Sequence, residues 1–176
     1  ISTIGYGLIF SNLFLRNNNY LNISVLGFLG LFSLYFISSI THIFVAHGYT
    51  HNIVVLIFGL IFFIRFFNKL HKDELKILSI FFLVLFIGFF ISKTNEDFPY
   101  YHLPMSLQLV QQKLQFGLGN INIAYNHFSS LFHINSLFYL PITKIYLFNL
   151  TNFLFQVFFF SGLMMILKKK KIPAFS

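Results

Sequence analysis

Ile23-Ser-Val-Leu-Gly-Phe-Leu-Gly-Leu-Phe-Ser-Leu-Tyr-Phe-Ile-Ser-Ser-Ile-Thr-His-Ile-Phe-Val45 runs without a single Lys, Arg, Asp or Glu. About 20 apolar residues, rising 1.5 Å each as a helix, cross the hydrocarbon core of a bilayer. The stretch therefore reads as a membrane span. Working outward, further apolar runs occupy roughly 2–15, 52–67, 77–92 and 146–167. Short polar clusters at 16–19, 46–52 and 68–76 separate them, and one long polar stretch, 93–145, precedes the last.

Composition agrees. Hydrophobic residues make up 57% of the 176 and charged residues only 9%, against about 25% charged in soluble domains; a water-solvated globule is excluded. With no cysteine, disulfides, thiolate metal sites and a cysteine nucleophile are excluded too. The 28 Phe accompany abundant Ile, Asn and Lys, whose codons are AT-rich, so the excess reads first as genome bias. The net charge of +8 could suggest nucleic acid. Nine of the twelve Lys and Arg, however, flank the ends of apolar runs, which is a topological pattern, and no nucleic-acid partner is expected.

The expected fold is all-α: a multi-span transmembrane helical protein with interfacial helices in a long extracytoplasmic loop. Residues 1–92 would hold four spans, the first truncated; 93–145 the outer loop with two interfacial helices; 146–167 the fifth span; and 168–176 a cytoplasmic basic segment. Odd and even loops must face opposite sides. Placing Lys168 to Lys171 inside puts nine basic residues in the cytoplasm and leaves Lys93, Lys113 and Lys144 outside, in the sense of the positive-inside rule. A multi-pass plasma (inner) membrane protein follows, its partners including membrane lipids. An alternative, with 128–148 as a span and a short return through 153–167, exports the lysine run and buries Pro141 in a helix, and ranks second. The chain opens on Ile1 rather than Met and reads as a piece of a longer one.

The chain has four acids. Asp73 and Glu74, among cytoplasmic lysines, read as solvated residues of a basic turn. Glu96 and Asp97 leave a span directly and precede Tyr100, Tyr101 and His102. Carboxylate, phenol and imidazole thus fall within seven residues, a usable acid/base set, since a carboxylate near a dry boundary is a better proton acceptor. The competing reading is a hydrated loop with an interfacial aromatic belt. Pro99 favours extended backbone at Phe98, and Pro104 suits the first turn of a helix. In extended chain Glu96 and Asp97 point opposite ways, so one acid would act and the other be structural or metal-facing.

Leu103, Leu107, Val110 and Leu114 recur at helical spacing among glutamines, which predicts a membrane-lying helix over 104–116, ended by Gly117 and Gly119. A second amphipathic helix is predicted over 125–136, within an interfacial segment 127–140. Its stripe of Asn126, Ser129, Ser130, His133 and Ser136 would either face water or pack toward Glu96 and Asp97. His47 and His51 have the i, i+4 spacing of a zinc pair, but Gly48 weakens the helix that would present it. A divalent cation (Mg or Mn) held by Glu96 or Asp97 with water and substrate phosphate suits those oxygen ligands better. The pattern Asn22-Ile-Ser24 matches a glycosylation acceptor but falls on the inner side.

Glu96-Asp-Phe-Pro-Tyr-Tyr-His-Leu-Pro104, then Gly117-Leu-Gly-Asn120, then Tyr125-Asn126 with Ser129-Ser130, resembles the large outer loop of polytopic bacterial glycosyltransferases of the GT-C type. The resemblance covers about a quarter of the chain. It implies transfer of a sugar from a polyprenyl-phosphate donor to a glycan, lipid or protein acceptor at the outer face. Asp97 would be the base, with Glu96 the alternate or metal-associated acid. Tyr101 and His102 would line the donor or acceptor site, Asn126, Ser129 and Ser130 would contribute to substrate binding, and His102 or Lys93 would steady the leaving phosphate. Two features depart from the pattern: the acids follow four spans where many members place them after the first, and the family's usual body has more spans. The chain alone would then be inactive. The alternatives are a transporter, flippase or glycan-polymerase component without transferase chemistry, and a structural subunit whose loop binds a partner.

Overall fold

The computed structural model describes residues 1–14, 21–91, 96–117, 120 and 129–169. Every regular element among them is helical. Helix α1 spans Ser2–Phe14, α2 Ile23–Phe44 and α3 Tyr49–Phe66, the last continued by a 3-10 turn, Phe67–Lys69; α4 spans Lys72–Ile91. A π turn, Phe98–His102, leads into α5 (Leu103–Gln111), and α6 (Ser130–Leu137) and a 3-10 turn (Lys144–Leu147) precede α7 (Leu150–Lys169).

Contacts fix the helix directions. Thr3 and Gly7 of α1 meet Gly30 and Leu26 of α2, so those two run antiparallel. Ser2 Oγ donates to the Leu56 carbonyl at 2.7 Å, Gly5 abuts Gly59, and Lys69 reaches Asn12 at 3.3 Å, so α1 and α3 run parallel. Helix α7 opposes α2 through Ser24–Ser161 (2.8 Å) and Phe28–Phe155 (ring centroids 5.7 Å). It opposes α4 through Phe81–Phe160 at 6.3 Å and Phe89–Phe153 at 5.5 Å. Long helices therefore alternate up and down.

Small residues make this packing possible. A Cβ at Gly5 would strike the Gly59 carbonyl, and one at Gly30 the Thr3 carbonyl. Backbones that close gain dispersion contacts unavailable to larger residues, the usual currency of helix association in lipid. At the far end of α2, Asn22 accepts from the backbone N–H groups of Ser24 and Val25. Glu74 accepts from Ile23 N at 2.8 Å, so a carboxylate sits on the positive end of that helix. Glu74 is thus a half-buried cap rather than a solvated turn residue.

The outward faces are apolar. Phe32, Phe36, Ile57, Ile61, Leu83, Ile87, Phe159 and Ile166 are all exposed, the inverse of a soluble surface. Among the described residues three helices are long and apolar enough to cross a membrane: Ile23–Phe44, Tyr49–Lys69 and Lys144–Lys168. Five spans were expected. The other two runs are helical where expected, but α1 has 13 residues, and α4 begins Lys72-Asp-Glu-Leu-Lys76, so its apolar part starts only at Ile77.

One loop element differs from expectation. Helix α5 ends at Gln111, before Gly117, because the next residues bond to α2 instead. Leu114 N donates to the His42 carbonyl at 2.9 Å, and His42 Nε2 donates to the Gln112 carbonyl at 3.0 Å, so a carbonyl that ends α2 finds a partner. The rival span over 128–148 is absent: α6 has eight residues and turns off at Phe138.

Candidate functional site

Helix α6 organises the end of the bundle where α2 and α3 join, because its three sides meet three different surroundings. Ser129 starts it, its hydroxyl accepting from Leu131 N at 3.3 Å, as an N-cap should.

On one side stands Phe132, buried at 3% exposure. Tyr101 and His102 rest edge-on against its ring, at 5.4 and 5.3 Å between centroids. The π turn preceding α5 is thereby seated on α6, and burial raises the Tyr101 phenol above its ordinary pKa. Glu96 and Asp97, one turn earlier, are exposed, as is Tyr100. Asn126 and Lys93 lie outside the described residues.

On a second side, Ser130, Leu131 and Ile134 line a groove of about 710 Å³ that also runs along α2 and α7. Its α2 wall extends from Val25 to Tyr35. Apart from Ser130 and Tyr35, the lining is hydrocarbon or phenyl.

On the third side, His133 (1% exposed) and Ser136 (0%) face the bundle interior. Of the polar stripe, His133 and Ser136 therefore point neither to water nor to the acids but meet a buried polar layer built by α2 and α3, whereas Ser130 is exposed. His47, fully buried, has Nδ1 2.7 Å from Ser136 Oγ and Nε2 3.1 Å from the Ser38 carbonyl. A carbonyl only accepts, so Nε2 carries a hydrogen; the Ser136 hydroxyl stands between Nδ1 and the His133 carbonyl, to which it donates at 2.7 Å. Ser38 Oγ donates to the His133 carbonyl at 2.8 Å. Asn52, also fully buried, directs its amide at the carbonyls of His47 (2.8 Å), Ser136 (2.7 Å) and Tyr139 (2.9 Å). One side chain thus joins the α2–α3 connection to the end of α6.

Four imidazoles share the layer. His47 stacks on His51, with centroids 4.7 Å apart and planes 9° from parallel, and lies 5.0 Å from His42 and 6.1 Å from His133. Burial and the neighbouring rings push His47 down to about 3 and His133 down to about 4, so both are neutral at physiological pH. Gly48 caps α3, leaving His47 outside the helix. Both ring nitrogens of His47 and of His51 have hydrogen-bonding neighbours, His51 to Thr41 and Asn52 at 3.0 Å each. Among the described residues no three His, Cys, Asp or Glu side chains could hold a metal ion together.

Most of the layer lies outside the polar loop that carries Glu96 and Asp97. Its trace was visible: Ser38, Thr41 and His42 recur at i, i+3 and i+4 in an apolar helix, which puts polar groups on one face. Comparison with protein-family models, curated proteins and solved structures finds no match.

Proposed function

We propose that the chain belongs to a multi-pass plasma-membrane glycosyltransferase that moves a sugar from a polyprenyl-phosphate donor to an acceptor at the outer face. The observation that carries this reading is the double use of α6. Through Phe132 it seats the acid-bearing segment, and through Ser130 and Ile134 it walls an apolar groove. A lipid-linked donor needs both, a hydrocarbon slot for its chain and polar chemistry where the chain reaches water. In this reading Asp97 takes the proton of the acceptor hydroxyl as that oxygen attacks the sugar, with Glu96 as alternate or metal-associated acid. His102 donates toward the leaving phosphate, and Tyr101, Ser129 and Ser130 orient the substrates. A divalent cation at the carboxylates would supply charge neutralisation for that phosphate.

The test is sugar transfer by the full-length protein in lipid. Asp97→Asn keeps the shape of the side chain but not its basicity. Transfer is expected to fall at least about a hundredfold, with insertion unchanged; full activity would remove Asp97 as base.

The buried histidines favour a second reading, a transporter or flippase. Ionisable groups facing a bundle interior commonly mark ion or substrate paths. Uptake by reconstituted full-length protein, without glycan product, would support it.

A further inference from the structure

We propose that α7 is a self-association surface: its outward line of Asn152, Gln156 and Phe159 packs against the same line of a second copy of the chain within the membrane. This pairing stands independently of the transferase reading, because it concerns only what covers one side of the bundle.

Spacing defines the line. Asn149, Asn152, Gln156, Phe159, Leu163 and Ile166 follow one another in alternating steps of three and four residues, the repeat that keeps one seam of a helix against a partner helix. All but the half-buried Asn149 are exposed. The contacts that hold α7 in the bundle lie elsewhere on its surface: Phe153 and Phe160 meet α4, and Phe158 and Ser161 meet α2. Lys168 lies on the far side of the helix from the line, so its charge does not oppose a partner there.

Gln156 stands midway along the span Lys144–Lys168, and Asn152 lies one turn from it. With that helix across the bilayer, both amides face hydrocarbon at the depth where water is scarcest. Among the described residues neither side chain has a hydrogen-bond partner, and an amide left so in an apolar medium is costly. Acyl chains offer no relief. A second helix with donors and acceptors at the same depth does.

The chemistry of the partner follows from the amide itself. Each amide both donates and accepts, so an identical stripe is its complement. Two copies inserted in the same sense set their α7 helices parallel, and a two-fold axis along the membrane normal brings each residue against its counterpart. Gln156 of one copy then meets Gln156 of the other, and likewise Asn152, with donors and acceptors in balance. Phe159, Leu163 and Ile166 continue the seam as apolar knobs. Among the described residues no other crossing helix presents a match: Ile23–Phe44 has neither Asn nor Gln, Asn52 is buried, and Asn68 is one residue from its helix end.

The experiment counts copies of the full-length protein in liposomes by single-molecule photobleaching over a range of protein-to-lipid ratios. Paired copies are expected. Asn152→Leu with Gln156→Leu should lower the paired fraction at least about tenfold at a matched ratio, whereas Gln156→Asn, which keeps an amide, should retain most of it. Oxidation gives a second reading: in an otherwise cysteine-free background Phe159→Cys should form a disulfide-linked dimer, while Ile61→Cys, on the exposed face of α3, should stay monomeric. Copies that remain single at every ratio overturn the proposal, whether lipid or another span of the same chain covers the line. Pairing that survives in the double Leu variant overturns it too, as does a dimer that forms through Ile61→Cys as readily as through Phe159→Cys. Should the double Leu variant fail to fold, the two cysteine variants decide the matter.

Discussion

Asn52 carries more of the structure than any other polar side chain described. Its amide faces three backbone carbonyls from two separate parts of the chain, and its own oxygen meets His51 Nδ1 at 3.0 Å. Removing it would take that donor from the His47 and Tyr139 carbonyls, while the Ser136 carbonyl keeps the Tyr139 N–H at 3.2 Å. Unsatisfied buried groups cost about 1–3 kcal/mol each, although polar pairs in membrane proteins often measure below that. Asn52→Ala is expected to destabilise the bundle by about 1–3 kcal/mol, read as a lowered midpoint of thermal unfolding in detergent. Asn52→Asp should be worse, since a carboxylate cannot donate to carbonyls. An unchanged midpoint in Asn52→Ala would mean that water replaces the amide without cost. Single residues of this kind are hard to read from sequence: Asn52 stands at the head of an apolar run, and only its neighbours in space give it three acceptors.

At the scale of the helix, two contacts make opposite predictions for similar substitutions. Gly5, Gly30 and Gly59 press against backbone that cannot move aside, whereas Gly88 on α4 has nothing within 4 Å of an added Cβ. Gly59→Ala should force α1 away from α3 and cost several-fold in folded yield, while Gly88→Ala should be neutral or stabilising by up to about 1 kcal/mol. Limited proteolysis of α1 in proteoliposomes would separate the two; equal resistance in both variants would contradict the close approach. Helix α2 depends on a charge supplied from α4. Glu74→Gln keeps a hydrogen-bonding oxygen but loses the charge at the helix start, and should cost about 0.5–1 kcal/mol by thermal unfolding. An isolated reading of 68–76 as a basic turn could not anticipate this, because the partner, Ile23, lies 51 residues away. Helix α5 teaches the same lesson: its apolar period continues to Leu114, but hydrogen bonds to His42 take over from Gln112 onward.

For the molecule as a whole, what was legible is what hydropathy and charge govern. The long runs at 23–45, 52–67 and 146–167 became helices fit to cross a membrane. What was not legible is inward polarity. An amphipathic stripe on 125–136 looks the same whether it meets water or a buried imidazole layer; only the positions of Ser38, His47 and Asn52 in space distinguish them. The loop acids, by contrast, stand exposed, and Tyr101 and His102 beside them are seated on Phe132. Helix α1 shows a further consequence. Its Ser2 and Tyr6 hydroxyls find acceptors on Leu56 and Val55, each at 2.7 Å, across separations of 54 and 49 residues. During synthesis those acceptors do not yet exist when α1 leaves the ribosome. The first helix must therefore wait, shielded by lipid or by the insertion machinery, until the third arrives to complete it, which makes assembly order a property written into its side chains.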